Sequence, residues 1–302
     1  NLLRKAFIFV KGIIIRFIDL KRASQYDVIF VQREAFFTGT SFFERRFSKS
    51  KAKLIFDFDD SIWLYNVSNA NKNLAWLKNG EKTKKIISVS DMVFAGNQYL
   101  ANYAKQYNDR VVVIPTTIDT AYHIPQKEKE EVICIGWTGT STTLPYFEAI
   151  IPYLLIIKNK YGDRISFQII VDVKKEYAEL GVKTTSWSLQ NEIKDLNKID
   201  IGVMPLPDNE WTKGKCGFKG LQYMSLEIPT IMSPVGVNTE IIEDGVNGFL
   251  ADVEQDWINK LNALIESEEL REKMGKAGRR TIIEQYSVEA NKQKYLDAFN
   301  AV

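Results

Sequence analysis

Continuous apolar runs alternate with amphipathic stretches along most of the chain. The apolar runs, which are rich in β-branched residues, cover residues 27–32, 53–58, 92–96, 111–115, 132–137, 165–171, 182–187, 201–206 and 229–234. Strands buried on both faces, as in a parallel sheet covered by helices, show such continuous runs. Helical periodicity lies between them, at about 72–89, 98–106, 142–160 and 189–197. The pattern therefore predicts an α/β fold with doubly wound, Rossmann-like parallel sheets.

A charged stretch, QKEKEE (126–131), divides this alternating pattern into two halves. We therefore expect two Rossmann-like domains, the first over 1–125 and the second over 126–286. The first half opens on a helix, whereas a complete dinucleotide-type domain opens on a strand, a glycine-rich turn and a helix. The sequence thus predicts that the first domain lacks its opening βα units.

The opening segment, residues 1–25, has the periodicity of a basic amphipathic helix. Its charged residues cluster on one side and its apolar residues on the other: Arg4, Lys5, Lys11, Arg16, Asp19 and Arg22 against Leu2, Leu3, Phe9, Val10, Ile13, Phe17 and Leu20. Such a helix packs on a sheet in many domains, but it also suits the surface of an anionic membrane. The pattern leaves both interpretations open.

Composition narrows the function classes. The 302 residues carry 40 basic and 38 acidic side chains, and this balance argues against nucleic acid as a partner. A single histidine, His123, makes a histidine-based triad or a multi-histidine metal site improbable. Two cysteines, Cys134 and Cys216, match no metal-binding spacing and are typical of a reducing, cytoplasmic compartment.

Two predicted strands lead into glycine turns that precede helices. Gly139, Thr140 and Ser141 follow the strand at 132–137, and the stretch KGKCGFKGLQYM (213–224) follows the strand at 201–206. Glycine lets a ligand approach the backbone, and the amides of a helix N-terminus attract anions. The structural alternatives are that the hydroxyl residues only cap a helix and that the glycine-lysine stretch is a solvated turn. Because both loops follow strand ends and one carries lysines, together they predict the two walls of a diphosphate site.

The stretch FDFDDSIW (56–63) contains a D-x-D motif. Asp57 and Asp59 alternate onto one face of the strand end. The motif resembles the D-x-D of GT-A glycosyltransferases, which binds a metal and a nucleotide sugar. The other interpretation is structural, since Asp60 or Ser61 is well suited to cap a following helix.

One long segment resembles a known family. KGKCGFKGLQYMSLEIPTIMSPVGVNTEIIEDGVNGFLA (213–251) is similar to the donor-binding segment of glycosyltransferase family 4, which has the GT-B fold of two Rossmann-like domains facing across a cleft. Three stretches at 56–63, 93–104 and 113–123 resemble first-domain segments of the same family. The final segment, 287–302, resembles the family's last helix, which crosses back onto the first domain.

The resemblance implies a retaining, metal-independent enzyme of the bacterial cell-surface polysaccharide type. It would move a sugar from a nucleotide-diphosphate sugar to a glycan or a lipid-linked acceptor, with no cofactor and no metal. A lipid-linked acceptor would suit peripheral contact with the cytoplasmic face of the inner membrane. Since the first domain looks incomplete, we expect this chain to bind a nucleoside diphosphate but to transfer sugar poorly.

Two glutamates of the family pattern are replaced here. The second falls on Gln222, and the resemblance implies that its amide contacts the ribose of the nucleotide. The first falls on Gly214, which has no side chain for the hydroxyls of the donor sugar. Glu210, just upstream, would substitute for it if the loop folds back; the alternative is a solvated loop charge.

The remaining donor contacts follow from the same resemblance. Lys215 and Lys219 would neutralise the leaving diphosphate, because GT-B enzymes generally work without a bound metal. Gly217 and Phe218 would offer backbone amides to phosphate or sugar. Trp187 would line the base pocket, or else it belongs to the core.

In the first domain, the resemblance places Asp59 and Asp60 near the reacting sugar, where either would orient the acceptor hydroxyl or the donor. Retention would proceed by attack on the face that the leaving group departs from, with the donor phosphate taking the proton. Such a reaction needs no dedicated protein base, which fits a chain with one histidine.

Two other functions stay open on the sequence. One is a GT-A-like, metal-dependent nucleotide-sugar enzyme that uses Asp57 and Asp59, which loss of activity in a chelator would favour. The other is a non-catalytic module that binds a nucleotide sugar. Binding of the donor without transfer or hydrolysis would favour it.

Overall fold

The computed structural model describes residues 2–64, 79–126 and 131–302, apart from the side chains of Leu2, Leu3 and Lys5. The start of the helix predicted at 72–89 and most of the charged stretch at 126–131 lie outside these residues.

The chain forms two compact units. The first unit comprises Asn1–Pro115 and Gln293–Val302, and the second comprises Thr116–Lys292. The sequence-based division placed the boundaries at 125 and 286 instead.

The first unit is built on a four-stranded parallel sheet in the order β1-β2-β3-β4. Its strands are β1 (Val28–Gln32), β2 (Lys53–Phe58), β3 (Met92–Ala95) and β4 (Val111–Val113). All four lie in predicted strands. Leu54, Ile55 and Phe56 of β2 are fully buried in succession, which is the pattern of a strand covered on both faces.

Four helices belong to the beginning of this unit: α1 (Leu2–Arg22), α2 (Phe42–Phe47), α3 (Gly80–Val89) and α4 (Gln98–Ala104). Helix α3 is capped by Asn79, whose side chain accepts a hydrogen bond from the amide of Glu81. Asn97 caps α4 in the same way, through the amide of Leu100. The sequence analysis missed α2, which is only six residues long.

Helix α1 packs on one side and is exposed on the other. Phe9 packs edge-on against Phe36 with a ring separation of 5.5 Å, and Phe17 packs likewise against Phe43. The opposite side, here called the outer face of α1, exposes Phe7, Ile8, Val10, Ile14, Ile15 and Ile18 among Arg4, Lys11, Lys21 and Arg22. The predicted two-sided pattern is therefore too simple, since Val10 is exposed and Arg16 pairs with Asp19 at 2.5 Å on the half-buried side. No helix within the described ranges is long and apolar enough to cross a membrane.

The second unit is built on a six-stranded parallel sheet in the order β12-β11-β10-β5-β6-β9. Its strands are β5 (Ile133–Thr138), β6 (Ile165–Val171), β9 (Thr185–Ser186), β10 (Ile201–Met204), β11 (Thr230–Met232) and β12 (Phe249–Leu250). A separate antiparallel pair, β7 (Glu176–Tyr177) and β8 (Val182–Lys183), lies outside this sheet. The strand predicted at 182–187 is thus divided between β8 and β9.

The helices of the second unit are α5 (Leu144–Glu148), α6 (Ile151–Tyr161), α7 (Glu192–Leu196), α8 (Glu210–Lys213), α9 (Phe218–Ser225), α10 (Asn238–Ile241), α11 (Glu254–Glu266), α12 (Glu268–Thr281) and the first part of α13 (Val288–Asn300). A π-helical segment, Ile282–Tyr286, joins α12 to α13. The single helix predicted at 142–160 is divided into α5 and α6, because Pro152 has no amide hydrogen to bond the carbonyl of Glu148.

The last residues of the chain return to the first unit. In α13, Phe299 packs against Phe30 and Phe94 with ring separations of 5.9 and 5.6 Å, and Tyr295 packs against Phe94. These rings cover one face of the first sheet.

Strand order places the loops of interest at one sheet edge. In the sheet, β5 lies between β6 on one side and β10 on the other. The strand order therefore reverses at β5. In open α/β sheets, ligands bind at the carboxyl ends of the strands at such a point. The loops after β5, β6, β9 and β10 meet there.

Candidate functional site

The most distinctive side chain at this sheet edge is Lys219, in the first turn of α9. Its Nζ donates to Thr143 Oγ1 at 3.1 Å and lies 4.6 Å from the centre of the Trp137 ring. Burial, together with the nearby charge of Lys215, lowers the pKa of Lys219 to about 7. Within the described part of the chain, no carboxylate pairs with this amine. A bound anion would restore the charged form that burial disfavours.

Lys215 precedes α9 by three residues and adds a second cation. Its Nζ lies 5.1 Å from the centre of the Trp211 ring, and its backbone amide bonds to the carbonyl of Thr212 at 3.0 Å. Its positive charge is the second cause, after burial, of the lowered pKa of Lys219. We call Lys215, Lys219 and Thr143 the lysine site.

Gly217 shapes the backbone at the lysine site. It is the N-cap of α9 and has a φ of +71°, in the left-handed region that glycine tolerates best. A Cβ at this position would lie 2.4 Å from Ile241 Cδ1, so close packing also requires glycine. The first amides of α9, including that of Phe218, have no partner within the helix and form its positive end.

The glycine turn after β5 reaches the lysine site through Thr143. Gly139 lies against the Trp137 indole, where a Cβ would approach a ring carbon to 2.4 Å. The amide of Thr140 donates to Thr143 Oγ1 at 3.1 Å, the same hydroxyl that Lys219 contacts. The structure thus brings together the two glycine loops that the sequence singled out.

Ser141 is held by a carboxylate that the sequence analysis did not consider. Asp172, the first residue after β6, accepts from the Ser141 amide at 2.6 Å and from its hydroxyl at 3.1 Å. Asp172 therefore holds Ser141, and with it the loop after β5.

Trp187 and Gln222 are joined by one carboxylate. Glu192, at the start of α7, accepts from Trp187 Nε1 at 3.0 Å and from Gln222 Nε2 at 3.2 Å, both on Oε1. Gln222 is only 3% exposed, whereas Trp187 is 46% exposed, so Trp187 is no core residue. We call these three side chains the glutamate bridge.

Two other predicted donor residues are exposed. Glu210 begins the short helix α8, which Asn209 and Thr212 cap reciprocally, and its side chain faces solvent. Phe218 is 47% exposed beside the lysine site. Gly214, which stands where the family has its first glutamate, ends α8.

The strand ends of the first unit carry a second charged group. Arg33, directly after β1, donates from Nε to Asp59 Oδ1 at 2.8 Å and from its terminal nitrogen to Asp60 Oδ2 at 2.5 Å. Burial, and next the charge of Asp59, raise the pKa of Asp57 to about 6. We call Arg33, Asp57, Asp59 and Asp60 the arginine cluster. Arg33 thus contacts two of the three carboxylates, and within the described ranges no group of three or more His, Cys, Asp or Glu side chains is arranged so that it could hold a metal ion.

Arg33, Asp172 and Glu192 are the charged residues that sequence reasoning missed. Arg33 and Asp172 are each the first residue after a buried strand, so inspecting that position after every strand would have found both. Glu192 has no such signal, because only the packing of α7 brings it to Gln222.

One comparison bears directly on these residues. Residues 177–281 match the family model of the glycosyl transferases group 1. This segment contains the glutamate bridge and both lysines of the lysine site. A search of curated protein sequences found no match.

The fold is similar to that of several solved structures. A mutant of S. aureus TarM in complex with fondaparinux, alpha-GlcNAc-glycerol and UDP is 17% identical with a TM-score of 0.64, covering 84% of this chain and 53% of its own. Anabaena HepE in complex with UDP and glucose is 14% identical with a TM-score of 0.71, covering 95% and 81%. A glycosyltransferase from Rickettsia africae is 16% identical with a TM-score of 0.70, covering 97% and 81%.

These likenesses confirm the predicted fold class, an α/β fold with Rossmann-like parallel sheets whose structural neighbours are GT-B glycosyltransferases. The chain spans about half of the length of the TarM structures. The assignment to family 4 and to the cell-surface polysaccharide type stays a prediction.

Proposed function

We propose that the protein is a retaining glycosyltransferase that binds the nucleoside diphosphate of a nucleotide sugar with its second unit. The observation that carries this proposal is the environment of the Lys219 amine. The amine is partly buried at the start of a helix, donates to the hydroxyl of Thr143 and lies over the indole of Trp137. Its pKa is lowered to about 7. Keeping this amine protonated is unfavourable unless an anion joins it.

The diphosphate would lie at the lysine site. Lys215 and Lys219 would balance the charge that develops on the leaving group, and the first amides of α9, with that of Phe218 foremost, would donate to phosphate oxygens. Gly139 and Thr140 would form the opposite wall, since Thr143 links their loop to Lys219. The match of residues 177–281 to the glycosyl transferases group 1 supports this assignment.

The nucleoside would lie toward the glutamate bridge. The half-exposed indole of Trp187 offers an aromatic face to the base, and Gln222 would contact the ribose. Glu210 is the candidate for the hydroxyls of the donor sugar, because it is exposed on the helix that follows β10.

The reaction we propose retains the configuration of the transferred sugar. The acceptor hydroxyl attacks the anomeric carbon from the side of the departing diphosphate; the bond from that carbon to the phosphate oxygen breaks, and the phosphate takes the acceptor's proton. The protein then supplies charge and orientation at the diphosphate instead of a base. We propose that this chemistry needs no metal and no cofactor.

Asp59 and Asp60 are our candidates for orienting the acceptor hydroxyl or the donor. Arg33 fixes both carboxylates, so either could accept a hydrogen bond from a sugar in a defined direction. We propose a glycan or a lipid-linked glycan as acceptor.

We also propose that the protein contacts a membrane surface, where a lipid-linked acceptor would lie. The outer face of α1 combines six exposed apolar side chains with four basic ones, and this pairing suits an anionic lipid surface. We expect the protein to sediment with vesicles of 30% anionic lipid and not with neutral ones; Ile14→Asp should abolish this. Equal binding to both vesicles, or to neither, would contradict the proposal.

A metal-dependent reaction at Asp57 and Asp59 is the weaker alternative. Both carboxylates belong to the arginine cluster, where Arg33 already provides a positive charge to Asp59. Activity that disappears in a chelator and returns with a divalent cation would favour this alternative.

A panel of nucleotide sugars and nucleoside diphosphates tests the proposed function. We expect at least one nucleoside diphosphate to raise the melting temperature of the protein, and its sugar conjugate to be consumed in the presence of a glycan acceptor. Binding without transfer or hydrolysis would favour a non-catalytic module. If no member of the panel binds, the proposed function is wrong.

A further inference from the structure

We infer that Glu192 is a positioning residue that fixes the amide of Gln222 with its carbonyl oxygen toward the nucleotide, so that a glutamine acts as the hydrogen-bond acceptor for the ribose. The inference rests on the proposed function, since it concerns the nucleoside part of the same site. It adds a residue from a different helix, α7, to the donor-binding segment.

Glu192 faces two hydrogen-bond donors. Its Oε1 lies 3.2 Å from Gln222 Nε2 and 3.0 Å from Trp187 Nε1. A carboxylate accepts hydrogen bonds and donates none, and both of these nitrogens are donors. One oxygen therefore holds an amide and an indole at the same time.

Glu192 determines the orientation of the Gln222 amide. A glutamine side chain can present either its NH₂ group or its carbonyl oxygen in a given direction. At Gln222 only the NH₂ group can face Glu192, because a carbonyl oxygen at that distance would repel the carboxylate. The side chain is 3% exposed, so water has little access to compensate the reversed orientation. Gln222 Oε1 consequently points away from Glu192.

A ribose diol can donate its hydroxyl hydrogens to the carbonyl oxygen of Gln222 in this orientation. With the reversed orientation the amide would offer only donors there, and the diol would have to turn its lone pairs toward them. Glu192 thereby presents a defined acceptor to the 2′-hydroxyl of the ribose.

The same carboxylate also orients the base-binding ring. Trp187 directly follows β9, and its backbone amide bonds to the carbonyl of Val171 at 3.1 Å. With its backbone fixed and its Nε1 held by Glu192, the indole keeps one orientation although nearly half of its surface is exposed. A fixed aromatic face costs little entropy when a base stacks on it.

The test compares UDP with 2′-deoxy-UDP by calorimetric titration, with the ADP and GDP pairs run in parallel. We expect the wild-type protein to bind the ribose form of one pair about tenfold more tightly than the deoxy form, as for one lost hydrogen bond. Glu192→Gln should reduce this preference, because an amide at position 192 no longer dictates which end of Gln222 faces it and the acceptor for the 2′-hydroxyl is no longer fixed.

The reciprocal double variant, Glu192→Gln with Gln222→Glu, separates orientation from mere structural support. In it the amide stands at position 192 and donates to the carboxylate at position 222, so the acceptor oxygen for the ribose returns. We expect the preference for the ribose form to return with it. Lys219→Ala is the control, since it should weaken both forms of each pair equally.

The outcomes distinguish the inference from the function on which it rests. If no nucleoside diphosphate binds the wild-type protein, the proposed function and this inference are both wrong. If the wild type binds with a ribose preference that Glu192→Gln keeps, or that the double variant does not recover, only the inference is overturned.

Discussion

The lysine site and the arginine cluster occupy the same kind of position, at the carboxyl ends of parallel strands, but they differ in how their charges are balanced. In the arginine cluster the guanidinium of Arg33 contacts two carboxylates, so the charges are balanced within the protein. In the lysine site Lys219 has a hydroxyl and an indole as partners. A cation near a strand end therefore indicates an anion site only when the protein does not neutralise it.

Burial shifts the pKa of one side chain in each site, in opposite directions. It raises the pKa of Asp57 in the arginine cluster to about 6 and lowers that of Lys219 in the lysine site to about 7. In each case the uncharged form is favoured, because a charge is costly away from water. The two groups would respond to a nucleotide differently, since only Lys219 gains from a nearby negative charge.

The largest effect should follow from removing both lysines. In Lys215→Ala with Lys219→Ala, affinity for the nucleoside diphosphate should fall about a hundredfold, because each charge-assisted contact is worth roughly 1.5–3 kcal/mol. Calorimetric titration measures this directly.

Lys213→Ala is the matched control for the double variant. Lys213 lies in the same loop but pairs with Asp208 at 3.1 Å, so its removal should leave the affinity within about twofold. A folded double variant that binds as tightly as the wild type would show that neither lysine contacts the diphosphate. The lysine site would then not differ from the arginine cluster as an anion site.

The next effect concerns pH. Lys219 carries its charge below its pKa of about 7 and loses it above, so nucleoside diphosphate affinity should fall as pH rises from about 7 to about 9. The slope should approach about tenfold per pH unit if the bound ligand keeps the amine protonated. Lys219→Arg should flatten the profile, because a guanidinium stays charged throughout this range. A wild-type profile as flat as that of the variant would contradict the assigned role.

A smaller effect concerns the backbone at the lysine site. Gly217→Ala should lower the free energy of unfolding by about 2–3 kcal/mol, since it strains a left-handed residue and pushes a Cβ against Ile241. Gly245→Ala is the matched control: Gly245 also has a positive φ, of +81°, but the nearest atom to its Cβ would be a ring carbon of Phe249 at 4.0 Å, so only the strain of about 1–2 kcal/mol applies. Chemical denaturation of both variants checks the difference; equal losses would show that the contact with Ile241 is unimportant.

The smallest effect should come from the arginine cluster. Arg33→Ala should cost about 1 kcal/mol of stability, because the ion pairs to Asp59 and Asp60 are partly exposed. Arg33→Gly should cost less, since Arg33 has a φ of +60° that suits glycine.

Nucleoside diphosphate affinity should stay unchanged in both Arg33 variants, because the arginine cluster belongs to the other unit. Denaturation and titration on the same samples provide the two measurements. A large loss of affinity in either variant would mean that the two sites are coupled, and the comparison would have to be revised.

Much of the fold was predictable because it follows from local pattern. The runs at 53–58 and 165–171 coincide with β2 and β6, since a strand covered on both faces needs continuous apolar residues. The two-residue strands β7 and β12 were missed, because so short a segment has no periodicity to detect. The candidate site was predictable in part, through glycines and lysines that follow strand ends.

By itself the sequence determined the α/β class, the strand-end loops and the presence of Lys215, Lys219 and Gln222 within them. Only the tertiary structure decided which charges meet: Arg33 reaches carboxylates 26 and 27 residues away, and Glu192 reaches Gln222 across 30 residues. Periodicity records which face of an element is buried, and it carries no information about the neighbour on that face. Strand order and helix packing choose that neighbour, and with it whether a buried charge is neutralised by the protein or left for a ligand.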